Sequence, residues 1–133
     1  MYCCEDEFEV RGYELDSFGH LNNAVYLNYL EVTRWNFCRN CNLINEGDNT
    51  FKYGLFLVVI ETSIRYIREL KLFDRIIIKS KYRCDDLYLY SEHIFLNKET
   101  DKKVSVAKSK LVYVNNERIV CNVPNEIAEI LLR

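Results

Sequence analysis

Asp16-Ser17-Phe18-Gly19-His20-Leu21-Asn22-Asn23-Ala24-Val25-Tyr26 is the stretch whose reading decides the fold. A carboxylate, a glycine, a histidine and two asparagines stand before an apolar run with no glycine or proline between Ala24 and Asn42. Asp and Asn favour turns and caps over helix interiors, because their side chains compete for nearby backbone N–H groups. Leu27, Leu30, Arg34, Phe37, Cys38 and Cys41 recur near helical spacing, which predicts a helix from about Ala24 to Asn42. Val25, Tyr26, Tyr29, Val32 and Trp35 make its other faces apolar, and a helix apolar nearly all round is expected to be buried. The polar cluster thus precedes a helix start, with its unpaired N–H groups and positive dipole end. The residue types leave two readings open: an ordinary capping loop, or a carboxylate and free N–H groups acting together on a carbonyl.

Upstream, Phe8 to Leu15 alternates and predicts a first strand. Downstream, Asn42 to Tyr53 is polar and reads as a loop with room for a short helical turn, a candidate border of the substrate pocket. Leu55–Ile67, Phe73–Arg83, Leu87–Leu96 and Val104–Val114 are rich in Val, Ile, Tyr and Phe, as strands prefer. The short polar connections between them favour antiparallel neighbours. Asn115-Asn116 marks a tight turn before Arg118–Val123, and Pro124 opens a terminal helix through Leu132. One strand, one long helix and then several strands is an α+β pattern.

Composition narrows the function classes. The 133 residues suit one domain, 1–133, and 49% hydrophobic content suffices for a core. With 18 basic against 20 acidic residues there is no basic stripe of the kind a nucleic-acid binder shows. The N-terminal residues Met1 to Glu7 lack a signal-peptide pattern, and the run Leu55 to Ile60 is too short for a membrane span, so a cytoplasmic protein is expected. Six cysteines in such a chain are expected to be reduced. Cys38-x-x-Cys41 lacks a second pair and reads as two small core residues on one helical face rather than a redox or zinc motif. No metal site is expected.

The order Asp16-x-x-Gly19-His20-Leu21-Asn22-Asn23-x-x-Tyr26, followed by Leu27-x-x-Leu30-Glu31, resembles the signature of the hotdog-fold acyl-CoA thioesterases. The 4-hydroxybenzoyl-CoA thioesterase branch is the nearest. Val10-Arg11, Ile64-Arg65-Tyr66, Phe73-Asp74, Val112-Tyr113-Val114, Arg118 and Val123-Pro124 extend the resemblance over nearly the whole chain. It implies a curved antiparallel sheet wrapped around one long central helix, assembled as a homodimer, with a homotetramer left open. It implies hydrolysis of an acyl-CoA to a free acid and CoA, with no cofactor beyond the CoA of the substrate. Asp16 would act as general base or as nucleophile, and the backbone N–H of Asn23 would polarise the carbonyl. Gly19, His20, Asn22 and Tyr26 become substrate-binding candidates. His20 would order the loop or touch the thioester. Asn22 and Asn23 serve equally well as caps, Tyr26 as core, and Glu31 as an ion-pair partner of Arg34 or Arg65 or as a second acid. Arg83, Lys108 and Lys110 are candidates for the CoA phosphates, or simply solvated strand-face charges. Relatives with an Asp-x-Asn-x-His arrangement carry Asn where this chain has Phe18, which argues against a plant-type acyl-carrier-protein thioesterase. That activity, and a non-catalytic acyl-CoA-binding module, remain the alternatives; the histidine and carboxylate positions argue against a dehydratase.

Overall fold

The helix predicted after the polar cluster is α1 (Asn23–Asn40), 18 residues or about 27 Å long. The structure is a computed structural model that describes residues 1–131. Around α1 run β1 (Tyr2–Glu9), β2 (Phe56–Tyr66), β3 (Arg75–Cys84), β4 (Tyr88–Asn97), β5 (Lys103–Val114) and β6 (Val120–Cys121), and α2 (Asn125–Leu131) closes the far end of the core. All pairings are antiparallel, in the order β1-β3-β4-β5-β2, with β6 on the end of β5. The sheet therefore packs against two helices, not one. Leu132, the predicted end of the terminal helix, lies outside the described residues.

β2 to β5 begin and end within two residues of their predicted limits. The first strand does not. β1 starts at Tyr2 and pairs with β3 along its whole length, from Tyr2 opposite Tyr82 to Glu9 opposite Arg75. The acidic run Glu5-Asp6-Glu7 disguised it. Glu5 and Glu7 face solvent, where Lys79 and Lys98 approach them at 3.8 and 2.8 Å, while Tyr2, Cys4, Asp6 and Phe8 alternate inward. Gly12–Glu14, predicted as strand, is a turn of 3-10 helix, because the Glu14 carboxylate folds back to accept the Arg11 N–H at 2.9 Å. The loop after α1 holds the expected short turn, Lys52–Gly54, and borders a depression of about 490 Å³ with Asn36, Arg39 and Asn45 rather than the one that contains Asp16.

α1 is buried on one flank only. Tyr26, Tyr29, Leu30, Thr33, Phe37 and Cys38 pack on the sheet, whereas Leu27, Val32 and Trp35 are 44–50% exposed. The expectation of all-round burial fails because the sheet covers only one flank of the helix: Trp35 lies on the β2 side with Val58, whereas Val32 is one turn before Asn36, whose amide reaches Asp6 of β1. Phe56, Val58, Val59 and Ile60 of β2 are exposed as well, and Ile60 lies where the register with β5 shifts. All six cysteines are free thiols, and Cys38 and Cys41 join one apolar cluster as read. Burial pushes the Cys4 and Cys38 thiols up to about 11 and about 12, away from the thiolate that reacts.

Two apolar clusters flank a polar row. One joins Tyr26, Tyr29 and Leu30 to Ile76, Ile78 and Phe95; the other joins Phe37 to Tyr82, Leu89, Leu111 and Ile127. Between them His93 bonds the Ser80 hydroxyl through Nδ1 at 2.7 Å and the Ser91 hydroxyl through Nε2 at 2.9 Å. Thr62 and Ser109 pair at 2.9 Å toward the β2 side. Burial, helped by the nearby Arg34 charge, pushes the His93 imidazole down from 6.5 to about 4. The unfolded chain therefore binds more protons than the folded one between those two values. Stability conferred by this site is complete above pH 6.5 and is lost as pH falls toward 4, at no more than about 1.4 kcal/mol per pH unit. Urea unfolding at pH 7, 5.5 and 4.5 checks this. His93→Gln, which cannot be charged, is expected to flatten the slope across that window.

Candidate active site

Asp16 and Gly19 build the turn that leads the chain to the helix. Asp16 Oδ1 accepts the N–H groups of Phe18 at 2.9 Å and His20 at 3.1 Å. The Asp16 N–H reaches back to the His20 carbonyl at 2.8 Å, and the Gly19 N–H donates to the Asp16 carbonyl at 3.1 Å. Gly19 sits at φ 78°, a left-handed conformation that costs glycine little, so its part here is conformational. Asp16 Oδ2 has no hydrogen-bond partner among the described residues. One oxygen is clamped and the other is left over.

Asn22 is the N-cap of α1, and its Oδ1 accepts the Ala24 N–H at 3.0 Å. Asn23 is the first helical residue, and its N–H, which no helical carbonyl can reach, has no acceptor among the described residues. The two asparagines thus part company: the side chain of one caps, and the backbone of the other is free. Tyr26, one turn on, is 2% exposed, lies edge-on to Tyr66 at 4.9 Å, and belongs to the core while also bordering the site. Burial pushes its phenol up to about 12. Asp16, His20, Asn23 and Tyr26 come together on one open depression of about 510 Å³.

Its opposite wall is the end of β2 and the loop after it, which the sequence reading passed over. The Tyr66 hydroxyl donates to the Asn23 carbonyl at 3.1 Å and ties β2 to the helix start. Arg68 and Glu69 line the same depression, and Glu69 Oε2 lies 3.1 Å from His20 Nε2. Behind the loop, Glu14 is 8% exposed and accepts the Tyr29 hydroxyl at 2.7 Å; its carbonyl accepts the Asn22 N–H at 2.9 Å, fixing the angle at which the chain enters α1. Only the Ile64-Arg65-Tyr66 match pointed toward any of these.

Other candidates lie elsewhere. Glu31 forms the expected ion pair with Arg34, on the flank of α1 beside β2. Arg83, Lys108 and Lys110 project from the sheet face opposite the core, since Ala107 and Leu111 occupy the inner face of β5. The Arg83 guanidinium stacks over Tyr90 at 4.3 Å and the Lys110 ammonium over Tyr88 at 3.9 Å. Within one chain they do not join Asp16. No cluster of metal-binding side chains exists among the described residues, and no described helix is long and apolar enough to cross a membrane.

With this geometry in place, the chain can be compared with known proteins. The family model for the thioesterase-like superfamily matches residues 10–131. The chain belongs to the thioesterase-like superfamily. It is 30% identical over 92% of its length to acyl-acyl carrier protein thioesterase ATL2, chloroplastic, of Arabidopsis thaliana, and covers 65% of that protein. It is 34% identical to the long-chain acyl-CoA thioesterase FadM of Escherichia coli, over 58% of this chain and 56% of that one. The chain therefore spans about two thirds or less of these relatives. Its fold superposes on Slr0204, a 1,4-dihydroxy-2-naphthoyl-CoA thioesterase from Synechocystis, with a TM-score of 0.86 at 13% identity, covering 98% of this chain and 96% of that one.

The split between the asparagines is measurable. Asn22→Ala is expected to lower unfolding stability by about 0.5–2 kcal/mol, the cost of a lost N-cap. Asn23→Ala, with no side-chain cap bond to lose, is expected to stay within about 0.5 kcal/mol of wild type. Chemical denaturation of the two variants side by side checks the assignment.

Proposed function

We propose that this protein is a thioester hydrolase whose substrate is an acyl-CoA, with Asp16 as its reactive carboxylate and the Asn23 N–H as the donor to the oxyanion. The observation that carries the reading is the Asp16 carboxylate itself: Oδ1 is fixed by two backbone N–H groups, while Oδ2 has no partner and the residue lines the depression at a helix start. In the general-base route Oδ2 takes a proton from water and the water oxygen attacks the thioester carbon. The oxyanion draws on the Asn23 N–H and the positive end of the α1 dipole. Collapse breaks the C–S bond, and the thiolate takes up the proton held by Asp16. In the nucleophilic route Oδ2 attacks first, the C–S bond breaks to leave the mixed anhydride and a thiolate, and water then opens the anhydride to the free acid and the Asp16 carboxylate, its released proton going to the thiolate. Both use the same atoms.

A second reading puts the acyl group on a carrier protein instead of CoA, and the match to ATL2 over 92% of this chain supports it. Arg83, Lys108 and Lys110 serve a CoA phosphate only if another subunit brings them to the pocket. A homodimer through β2 fits the exposed apolar residues of that strand and of α1 beside it.

Asp16→Asn tests the chemistry. It keeps the shape and an oxygen for the two N–H groups but removes the base or nucleophile, so kcat on acyl-CoA substrates is expected to fall at least about 100-fold. Asn23→Ala is expected to do much less, because the donor is backbone. Wild-type turnover by Asp16→Asn would sink the mechanism. Running acyl-CoA and acyl-carrier-protein forms of one acyl group in parallel identifies the carrier. For the assembly, sedimentation at micromolar concentration is expected to show a dimer; a fully active monomer would refute it.

A further inference from the structure

The Asn23–Ala24 peptide is gripped at both of its polar ends. Its carbonyl accepts the Tyr66 hydroxyl at 3.1 Å, and its N–H, that of Ala24, donates to Asn22 Oδ1 at 3.0 Å. We propose that Tyr66 is a positioning residue: by holding this peptide it aims the adjoining Asn23 N–H at the oxyanion. This inference rests on the hydrolase reading above, in which that N–H is the donor.

Neither group makes this bond for want of another partner. Asn23 is the first residue of α1, so its carbonyl already takes the N–H of Leu27, four residues on. Tyr66 is 46% exposed, and its hydroxyl can bond solvent. An exchange of solvent for protein at such a place adds little to stability. What it fixes is a direction. The Asn22–Asn23 and Asn23–Ala24 peptides are rigid planes that meet at one Cα, so two torsions relate them. The first plane is held at its carbonyl, where Asn22 accepts the Val25 N–H at 2.9 Å. The second is held by Tyr66 and Asn22. Of the four polar groups on these two peptides, the Asn23 N–H is the one without a partner among the described residues. Its neighbours are clamped and it is left to point.

Tyr66 is mounted firmly enough to do this. It is the last residue of β2 and pairs with Ser105 of β5. Just before it, the Arg65 carbonyl accepts the hydroxyl of the fully buried Ser105 at 2.8 Å. Just after it, the Ile67 N–H donates to the Val104 carbonyl at 2.9 Å. The ring stands edge-on to Tyr26 at 4.9 Å, and Tyr26 in turn lies 5.4 Å from Phe95 in the core. The hydroxyl therefore reaches the helix start from a strand end and a ring that are both tied to the core. A donor set in advance needs no rearrangement as charge grows on the substrate oxygen, and this is what makes it effective. Tyr66 keeps its own proton throughout, on the Asn23 carbonyl.

The test uses the full chain, an acyl-CoA substrate, and Asp16→Asn as the control for the hydrolase reading. Tyr66→Phe keeps the ring against Tyr26 and frees the carbonyl. Loss of a whole oxyanion donor costs about 100–1,000-fold, and a misaimed one is expected to cost about tenfold in kcat with KM little changed. Two substrate analogues separate aim from architecture. A trifluoromethyl ketone in place of the thioester forms a tetrahedral oxyanion, and its affinity for Tyr66→Phe is expected to be about tenfold below wild type. A thioether, which has no carbonyl oxygen to hold, is expected to bind both proteins equally. Asn22→Ala releases the other end of the same peptide and is expected to weaken the ketone in the same way and to spare the thioether. Unchanged ketone affinity in either variant, equal losses for both analogues, or a Tyr66→Phe protein that no longer folds would overturn the role of Tyr66 and leave the hydrolase reading standing. A wild-type protein that hydrolyses no acyl thioester, on CoA or on a carrier protein, would overturn both.

Discussion

Everything in this structure depends on how α1 is laid against the inner face of the sheet. Tyr26, Tyr29, Leu30, Phe37 and Cys38 bury one flank of the helix, and each large apolar side chain so buried contributes about 1.5–3 kcal/mol. That flank sets the rotation of the helix about its axis. Rotation in turn decides that the first free N–H, on Asn23, stands beside the Asp16 turn and opposite the end of β2. The pieces of the site come from two loops, a strand end and a helix start, but their mutual placement is a packing result.

The polar row inside the core belongs to the sheet. Ser80 and Ser91 bond the His93 ring and Ser109 bonds Thr62, so the row satisfies itself between the two apolar clusters. Thr33, on the helix, is fully buried and its hydroxyl has no hydrogen-bond partner among the described residues. An unpaired buried polar group costs about 1–3 kcal/mol, and the packing of the two clusters against the helix offsets that cost.

Much of the fold was legible because its signals are local. β2 to β5 are rich in branched and aromatic residues and are separated by polar turns, so their limits were read to within two residues. The Asp16 loop was legible because Asp, Gly and Asn do there what they do in any turn or cap. β1 was misplaced because its outward face is acidic for a non-local reason: Lys79 and Lys98, far along the chain, neutralise it. Glu14 and Glu69 were invisible as site residues on the same ground, and Tyr66 was reached only through the match of Ile64-Arg65-Tyr66. Nothing near Glu69 in sequence announces an imidazole, and nothing near Tyr66 announces the carbonyl of Asn23; both contacts exist only once β2 lies alongside α1. The buried flank of α1 was read, but its exposed flank was not, because composition cannot say where a sheet ends.

The two outer strands of the sheet are unlike each other, and this limits what the molecule can build. β1 presents Glu5, Glu7 and Glu9 outward with Lys79 and Lys98 beside the first two, a charged border that discourages strand pairing, whereas β2 presents Val58, Val59 and Ile60. Main-chain growth is open at one border and closed at the other. A chain that joins its own kind through β2 does so about a twofold axis and then has only β1 left on each side. Strand addition through β2 would therefore stop after a single event, and a sheet rich in valine, isoleucine and tyrosine would be kept from extending into a filament.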